Sequence, residues 1–306
     1  MASPPSCKSR CGGKRTAPKA RPGRDAMQRV AVIGGGTMGN GIAHVLARHG
    51  VEVTLCELSE ALLERARGAI EKNLQREVSA RKLDAGEARL ALERIRPTTD
   101  LAAAARADLV IEAIPERRDL KTGLFARLEP LAPPVTLFAS NTSSISITEL
   151  AASTGRPERF VGMHFMNPVP VMKLVEIIRG AATADATVAA VRDLALRLEK
   201  TPVEVRDFPG FISNRVLMPL INEAIFCVFE GVAAPEAVDT VMKLGMNHPM
   251  GPLALADFIG LDVCLDILEV LLRGFNDPKY RPCPLLRQMV AAGWLGRKSG
   301  RGFYRY

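Results

Sequence analysis

From residue 27 onward the apolar positions fall into two rhythms. Short solid runs come first: residues 29–33 (RVAVI), 51–56 (VEVTLC), 108–114 (DLVIEAI) and 135–140 (VTLFAS). Runs this short, rich in β-branched residues and bounded by turn formers, read as buried strands of a parallel sheet. Between them apolar residues recur at helical spacing, up to Gly50 and then over 59–81, 84–94 and 116–128. Ser59 reads as an N-cap, and Asp84 with Glu87 as a capping box. The stretch 59–94 exceeds a minimal crossover, so a helical pair should protrude from the sheet. A short helix over 145–152 precedes two further strands, FVGMHF (160–165) and MKLVEII (172–178). A helix over 185–200 and a last strand over 201–205 follow. The breakers DFPG (207–210) mark a boundary. Beyond them the pattern is helical: 212–230, 235–244, 253–272 broken at Gly260, and 284–292.

The first strand runs directly into Gly34-Gly35-Gly36-Thr37-Met38-Gly39, which opens a helix. Glycines here permit a tight turn and close backbone approach, and the helix N-terminus faces a pyrophosphate. Thr37 and Met38 complete the cofactor loop. Glu57 ends the second strand 18 residues after Gly39, near the spacing of an acid that bonds ribose hydroxyls. An acid there repels a 2′-phosphate and favours NAD over NADP; the alternative is a solvated strand-end carboxylate. The expected fold class is therefore α/β. A Rossmann-type, mostly parallel sheet domain (27–206) with the protruding pair precedes an all-α domain (207–306) for substrate and dimerisation. Asn141-Thr142-Ser143-Ser144 follows the fourth strand, at the end where open parallel sheets bind ligands. Ser143 either serves that ligand or caps the next helix, a role Ser144 or Ser146 also fits.

Residues 159–178 (RFVGMHFMNPVPVMKLVEII) are two apolar strands joined by a proline turn. That layout brings His164 within reach of Glu176. A carboxylate fixes the tautomer of an imidazole and stabilises its protonated form, as a general base needs. The competing reading is a strand histidine bonded to a backbone carbonyl, with Glu176 in water.

Charge redraws the picture at one end only. Residues 1–26 hold seven basic residues against Asp25, a net +6 of the chain's +8, leaving +2 for the rest. The basicity belongs to a tail without Leu, Ile, Val or Phe, expected to be disordered, and gives no basic face for nucleic acid. The tail has no apolar core for a secretory signal and no amphipathic face for a mitochondrial presequence. A functional start near Met27 and a bacterial cytoplasmic location are expected, with the mitochondrial matrix the weaker alternative. The six cysteines show no metal-ligand spacing and suit a reducing compartment. No window nears the roughly 18 apolar residues of a membrane span. The large apolar surface of the helical part suggests a homodimer.

Six segments together resemble the short-chain L-3-hydroxyacyl-CoA dehydrogenases, bacterial 3-hydroxybutyryl-CoA dehydrogenases above all. They are VAVIGGGTMGNGIA (30–43), FASNTSS (138–144), HFMNPVPVMKLVEI (164–177), PGFISNR (209–215), MNHPMGPLALADFIGLD (246–262) and GRKSGRGFY (296–304). The resemblance implies NAD-dependent oxidation of a 3-hydroxyacyl-CoA, with His164 as base and Glu176 orienting it. It implies that Ser143 and Asn214 bond the reacting oxygen or the substrate, and that Asn167 lines the site. Glu116, Lys121 and Lys298 match positions that contact the cofactor, although both lysines also fit an ordinary surface role. Asn73 and Lys82 are the loosest matches, as contacts for CoA along the protruding pair. No metal is implied. Rival functions are a sugar-acid dehydrogenase of the same fold and a non-catalytic NAD-binding protein.

Overall fold

The computed structural model describes residues 27–306. The basic tail, with its expected disorder, lies outside the described residues. Eight strands form one sheet in the order β3-β2-β1-β4-β5-β6-β7-β8. They are β1 (Arg29–Ile33), β2 (Glu52–Cys56), β3 (Ile95–Thr98), β4 (Leu109–Glu112), β5 (Leu137–Ser140), β6 (Phe160–Phe165), β7 (Leu174–Arg179) and β8 (Thr201–Arg206). Every neighbouring pair is parallel except β6–β7. Two side-chain layers cover the sheet. On one face Val32, Ile111, Val161 and Met163 meet α1 (Thr37–Arg48), α2 (Glu60–Ser79) and α7 (Asp185–Arg197). On the other, Ala31, Val110 and Phe138 meet α5 (Arg118–Leu128) and α6 (Ile147–Ala152). There Phe125 stands edge-on to Phe160, with ring centroids 4.6 Å apart.

The protruding pair is α2 and α3 (Ala85–Glu93), which bury Leu63, Ile70, Leu74 and Ala91 in the core that α1 shares. Ser59 accepts from the Leu62 amide, and Asp84 with Glu87 closes a full capping box. The expectation missed two elements. Strand β3 (IRPT) is an edge strand whose Arg96 and Pro97 are exposed, so it carries no alternation and tolerates proline. Helix α4 (Leu101–Ala105), capped by Asp100, is a single alanine-rich turn and a half. Helix α5 begins at Arg118 rather than at residue 116, which leaves Glu116 in the preceding loop. The chain ends in α8 (Ser213–Phe229), α9 (Pro235–Gly245), α10 (Pro252–Ile259), α11 (Leu261–Phe275) and α12 (Pro284–Ala291) around a core of their own. Gly260, at φ +109°, makes the break between α10 and α11.

Because β1, β4, β5 and β6 run the same way, their carboxyl ends share one edge. Ile33, Glu112, Ser140 and Gly162 lie side by side across it. His164 stands two residues further out, on the same face as that row, three strand spacings from β1 or roughly 14 Å. The glycine turn is equally constrained. Gly34 has φ +98°, and a Cβ on Gly39 would sit 1.7 Å from the Gly34 carbonyl oxygen. Gly39→Ala must therefore push α1 off the turn. Overpacking of this kind costs about 1–3 kcal/mol. A thermal melt should show a fall of at least about 2–4 °C; an unchanged midpoint would mean the turn is looser than described.

Candidate active site

The single antiparallel step in the sheet sets His164 directly across from Glu176. Their side chains are 8% and 3% exposed, and His164 Nδ1 lies 2.7 Å from Glu176 Oε2. An ionised carboxylate only accepts, so Nδ1 carries a proton, and in the neutral imidazole the free lone pair is on Nε2. The reading of Glu176 as a solvent-facing side chain is thereby excluded. Three further donors converge on it: the Ser213 hydroxyl at 2.9 Å, the Ser213 amide at 3.0 Å and the Ile212 amide at 3.2 Å. Helix α8 has no cap of its own; its first amides are satisfied by an acid on β7. The left-handed Gly210 and Phe211, at φ +73° and +52°, turn the chain so that those amides meet the carboxylate. Burial works against ionisation of Glu176, but the bonds from His164 and Ser213 outweigh it and hold the pKa below the ordinary carboxylate value.

A second carboxylate organises the loop after β5. Glu116 Oε1 accepts from Thr142 Oγ1 at 2.6 Å, from the Ser143 amide at 2.8 Å, and from the amide and hydroxyl of Ser144. Burial opposes its charge, yet Lys121 and these donors keep its pKa low. Lys121 is not a surface lysine. It is 1% exposed, with Nζ 2.5 Å from Glu112 and 3.3 Å from Glu116. Glu112 in turn accepts from Ser140 Oγ at 2.6 Å. Asn214, at the start of α8, donates through Nδ2 to the Ser143 carbonyl at 2.9 Å. Ser146 is the cap of α6, so Ser143 has no capping duty there.

The glycine loop fits a dinucleotide. Gly36 begins α1 without a side-chain cap, and no acid stands in the first turn. A Cβ on Gly36 would meet nothing within 4 Å, so the space before the helix dipole is open. Thr37 and Met38 form the start of that helix. Glu57 accepts from the Gly35 amide at 2.7 Å and from the Leu58 amide, which places its carboxylate on the loop. Asn167 is exposed, three residues past His164. Among the described residues, the other expected ones make no hydrogen bond to this cluster. Lys298 pairs with Asp262 at the start of α11. Asn73 and Lys82 sit on the protruding pair, where Asn73 accepts from Arg76. Ser213 and Glu112 were not singled out from the sequence. An acid inside the apolar run DLVIEAI was a signal that a partner was needed; nothing local pointed to Ser213.

Residues 29–208 match the 3-hydroxyacyl-CoA dehydrogenase, NAD binding domain, and residues 210–306 the C-terminal domain of the same family. The chain belongs to the 3-hydroxyacyl-CoA dehydrogenase family. It is 57% identical over 280 residues to a probable 3-hydroxybutyryl-CoA dehydrogenase of Bacillus subtilis (strain 168), covering 92% of this chain and 98% of the relative. It is 53% identical to the 3-hydroxybutyryl-CoA dehydrogenase of Bradyrhizobium diazoefficiens, covering 92% and 96%. The crystal structure of the (S)-3-hydroxybutyryl-CoA dehydrogenase of Ralstonia eutropha superposes with a TM-score of 0.90 at 50% identity, covering 92% of this chain and 99% of that one. The sheet domain is the NAD binding domain of the family.

The lowered pKa of Glu176 makes a statement about stability. A carboxyl whose folded pKa lies below its unfolded value near 4.3 stabilises the fold above that value. That stabilisation fades as pH falls through the folded pKa. Glu176→Gln should cost about 2 kcal/mol at pH 7. The gap between the two melting temperatures should close as pH drops below about 4; a gap of constant size from pH 7 to pH 3 would contradict the assignment.

Proposed function

We propose that this chain oxidises (S)-3-hydroxybutyryl-CoA, and related (S)-3-hydroxyacyl-CoA thioesters, to the 3-ketoacyl-CoA with NAD, and runs the reverse. The observation that carries the reading is the buried His164–Glu176 pair at the carboxyl edge of a sheet whose first turn is a dinucleotide loop. The chemistry supplied by bound NAD is acceptance of a hydride from carbon 3. The 3-hydroxyl proton has to leave in the same event, and His164 Nε2, with Nδ1 already committed to Glu176, takes it. Glu176 stays ionised through its donors from α8 and stabilises the imidazolium so formed. An amide NH2 has two N–H groups, and Asn214 spends one on Ser143. The other, with the Ser143 hydroxyl, is assigned to the developing alkoxide.

Gly34, Gly36, Thr37, Met38 and Gly39 are assigned to the pyrophosphate, and Glu57 to the adenosine ribose. Glu116, Lys121, Ser143, Asn167 and Lys298 are assigned to the rest of NAD. Lys121 would act through Glu116 and Glu112, since its own ammonium is enclosed by them. The protruding pair, with Asn73 and Lys82, is assigned to CoA. The protein is read as a cytoplasmic homodimer. Support for the dimer is the exposed apolar set Val241, Leu244 and Met246 in and after α9, where Leu244 is 82% exposed.

In a steady-state assay of NADH oxidation with acetoacetyl-CoA, His164→Gln should lose about 10²–10⁴-fold in kcat while binding NADH normally. Activity within tenfold of wild type would remove the base assignment. A sugar acid turned over better than acetoacetyl-CoA would move the enzyme to the rival class. Sedimentation at micromolar concentration should give a dimer, and a monomer would refute that reading.

A further inference from the structure

The loop 166–173 joins the strand of His164 to the strand of Glu176, and a buried ammonium holds it. Lys200 is 7% exposed. Its Nζ donates to the Val169 carbonyl at 2.6 Å and the Met172 carbonyl at 2.8 Å. Among the described residues no other side chain donates to a carbonyl of this loop. Its remaining bonds are local or belong to the sheet: the Val171 and Met172 amides donate to the Pro168 carbonyl, and the Thr201 amide to that of Lys173.

The backbone of Lys200 is fixed as firmly as its head. Its amide donates to the Ala195 carbonyl, closing α7, while Glu199 takes the left-handed conformation at φ +55°. The side chain thus reaches from a rigid helix end into the loop. On its other side the loop rests on the dinucleotide helix. Val169 is 2% exposed, and a Cβ on Gly41 of α1 would meet Val169 Cβ at 2.9 Å. Asn167 lies between this anchored portion and His164.

Surface loops ordinarily leave such carbonyls to water. A desolvated ammonium bonded to neutral acceptors is a costly alternative. Burial lowers its proton affinity, Arg48 adds to that, and Glu77 partly restores it. Its distinguishing feature is geometric. One charge-assisted donor ties two carbonyls three residues apart to a third element.

We infer that Lys200 is a positioning residue for the cofactor: its ammonium ties the loop 166–173 to the end of α7, holds Val169 against α1, and so fixes Asn167 beside the dinucleotide site. The inference rests on the assignment of Asn167 to NAD made above. Lys200 touches none of the reacting groups. Its loss should weaken NADH binding and leave proton transfer at His164 largely intact.

The test compares Lys200→Met and Lys200→Arg with wild type. Binding of NADH is followed by its fluorescence without substrate, and kcat with acetoacetyl-CoA is measured at saturating NADH. Lys200→Met should raise the NADH Kd about tenfold, the worth of a hydrogen bond to a charged group. Its kcat should stay within about threefold, a change small beside the loss of a general base. Lys200→Arg keeps donors for both carbonyls and should restore the Kd. A folded Lys200→Met with wild-type NADH affinity would overturn the inference, as would a loss confined to kcat or an arginine variant no better than methionine. Should Lys200→Met fail to fold, Lys200→Gln, which keeps a neutral donor, is read by the same Kd criterion. Because the Kd needs no substrate, wild type failing on acetoacetyl-CoA would strike the proposed function and leave this comparison standing.

Discussion

Glu176 accepts four hydrogen bonds on two oxygens, and both halves of the chain meet through it. One bond comes from His164 across the sheet and three from the first residues of α8. A carboxylate this buried stays charged only while those donors stay in place. The ionised acid that orients His164 therefore exists only when the helical half is seated on the sheet. The orientation of His164 and the joining of the two halves are one property. The same seam is stitched again by Asn214, which reaches from α8 to the carbonyl of Ser143.

The rest of the edge repeats that logic with different groups. Glu116 gathers the amides after β5, and Lys121 joins it to Glu112 beneath. Amides and hydroxyls in this loop are held by charge rather than by regular secondary structure. This suits a segment that must keep its shape while facing a ligand on its open side. The sheet supplies the frame: parallel strands carry all these loops to one edge, and the single reversal at β7 brings an acid opposite a histidine.

Much of this was legible in the chain. The glycine turn, the strand rhythm and the proline turn between two apolar runs are local signals, and His164 with Glu176 follows from them once the two runs pair. The helical pair was equally readable, since Ser59 and Asp84 announce its two starts. Apart from Glu112, the acid in an apolar run, what escaped had no local signature. Strand β3 exists because β2 offers it an edge, not because IRPT prefers extension. Ser213 meets Glu176 from 37 residues away through the left-handed turn at Gly210 and Phe211, which no periodicity encodes. Lys121 was matched to a cofactor position by resemblance alone; its burial against Glu112 and Glu116 was not readable, because an ion pair of this kind depends on which groups lie above the helix.

One consequence reaches beyond this chain's own chemistry. Glu57, which we assign to the ribose, does more than that: one of its oxygens accepts from the amide of Gly35, in the middle of the glycine turn. An engineer seeking to convert the enzyme to the phosphorylated dinucleotide would begin by neutralising that acid. The same stroke would unfasten the glycine turn that we assign to the pyrophosphate of either dinucleotide. Redesign at this position must therefore bring a replacement acceptor for the glycine amide, and a swap chosen on charge alone would trade selectivity for a slack grip on either coenzyme.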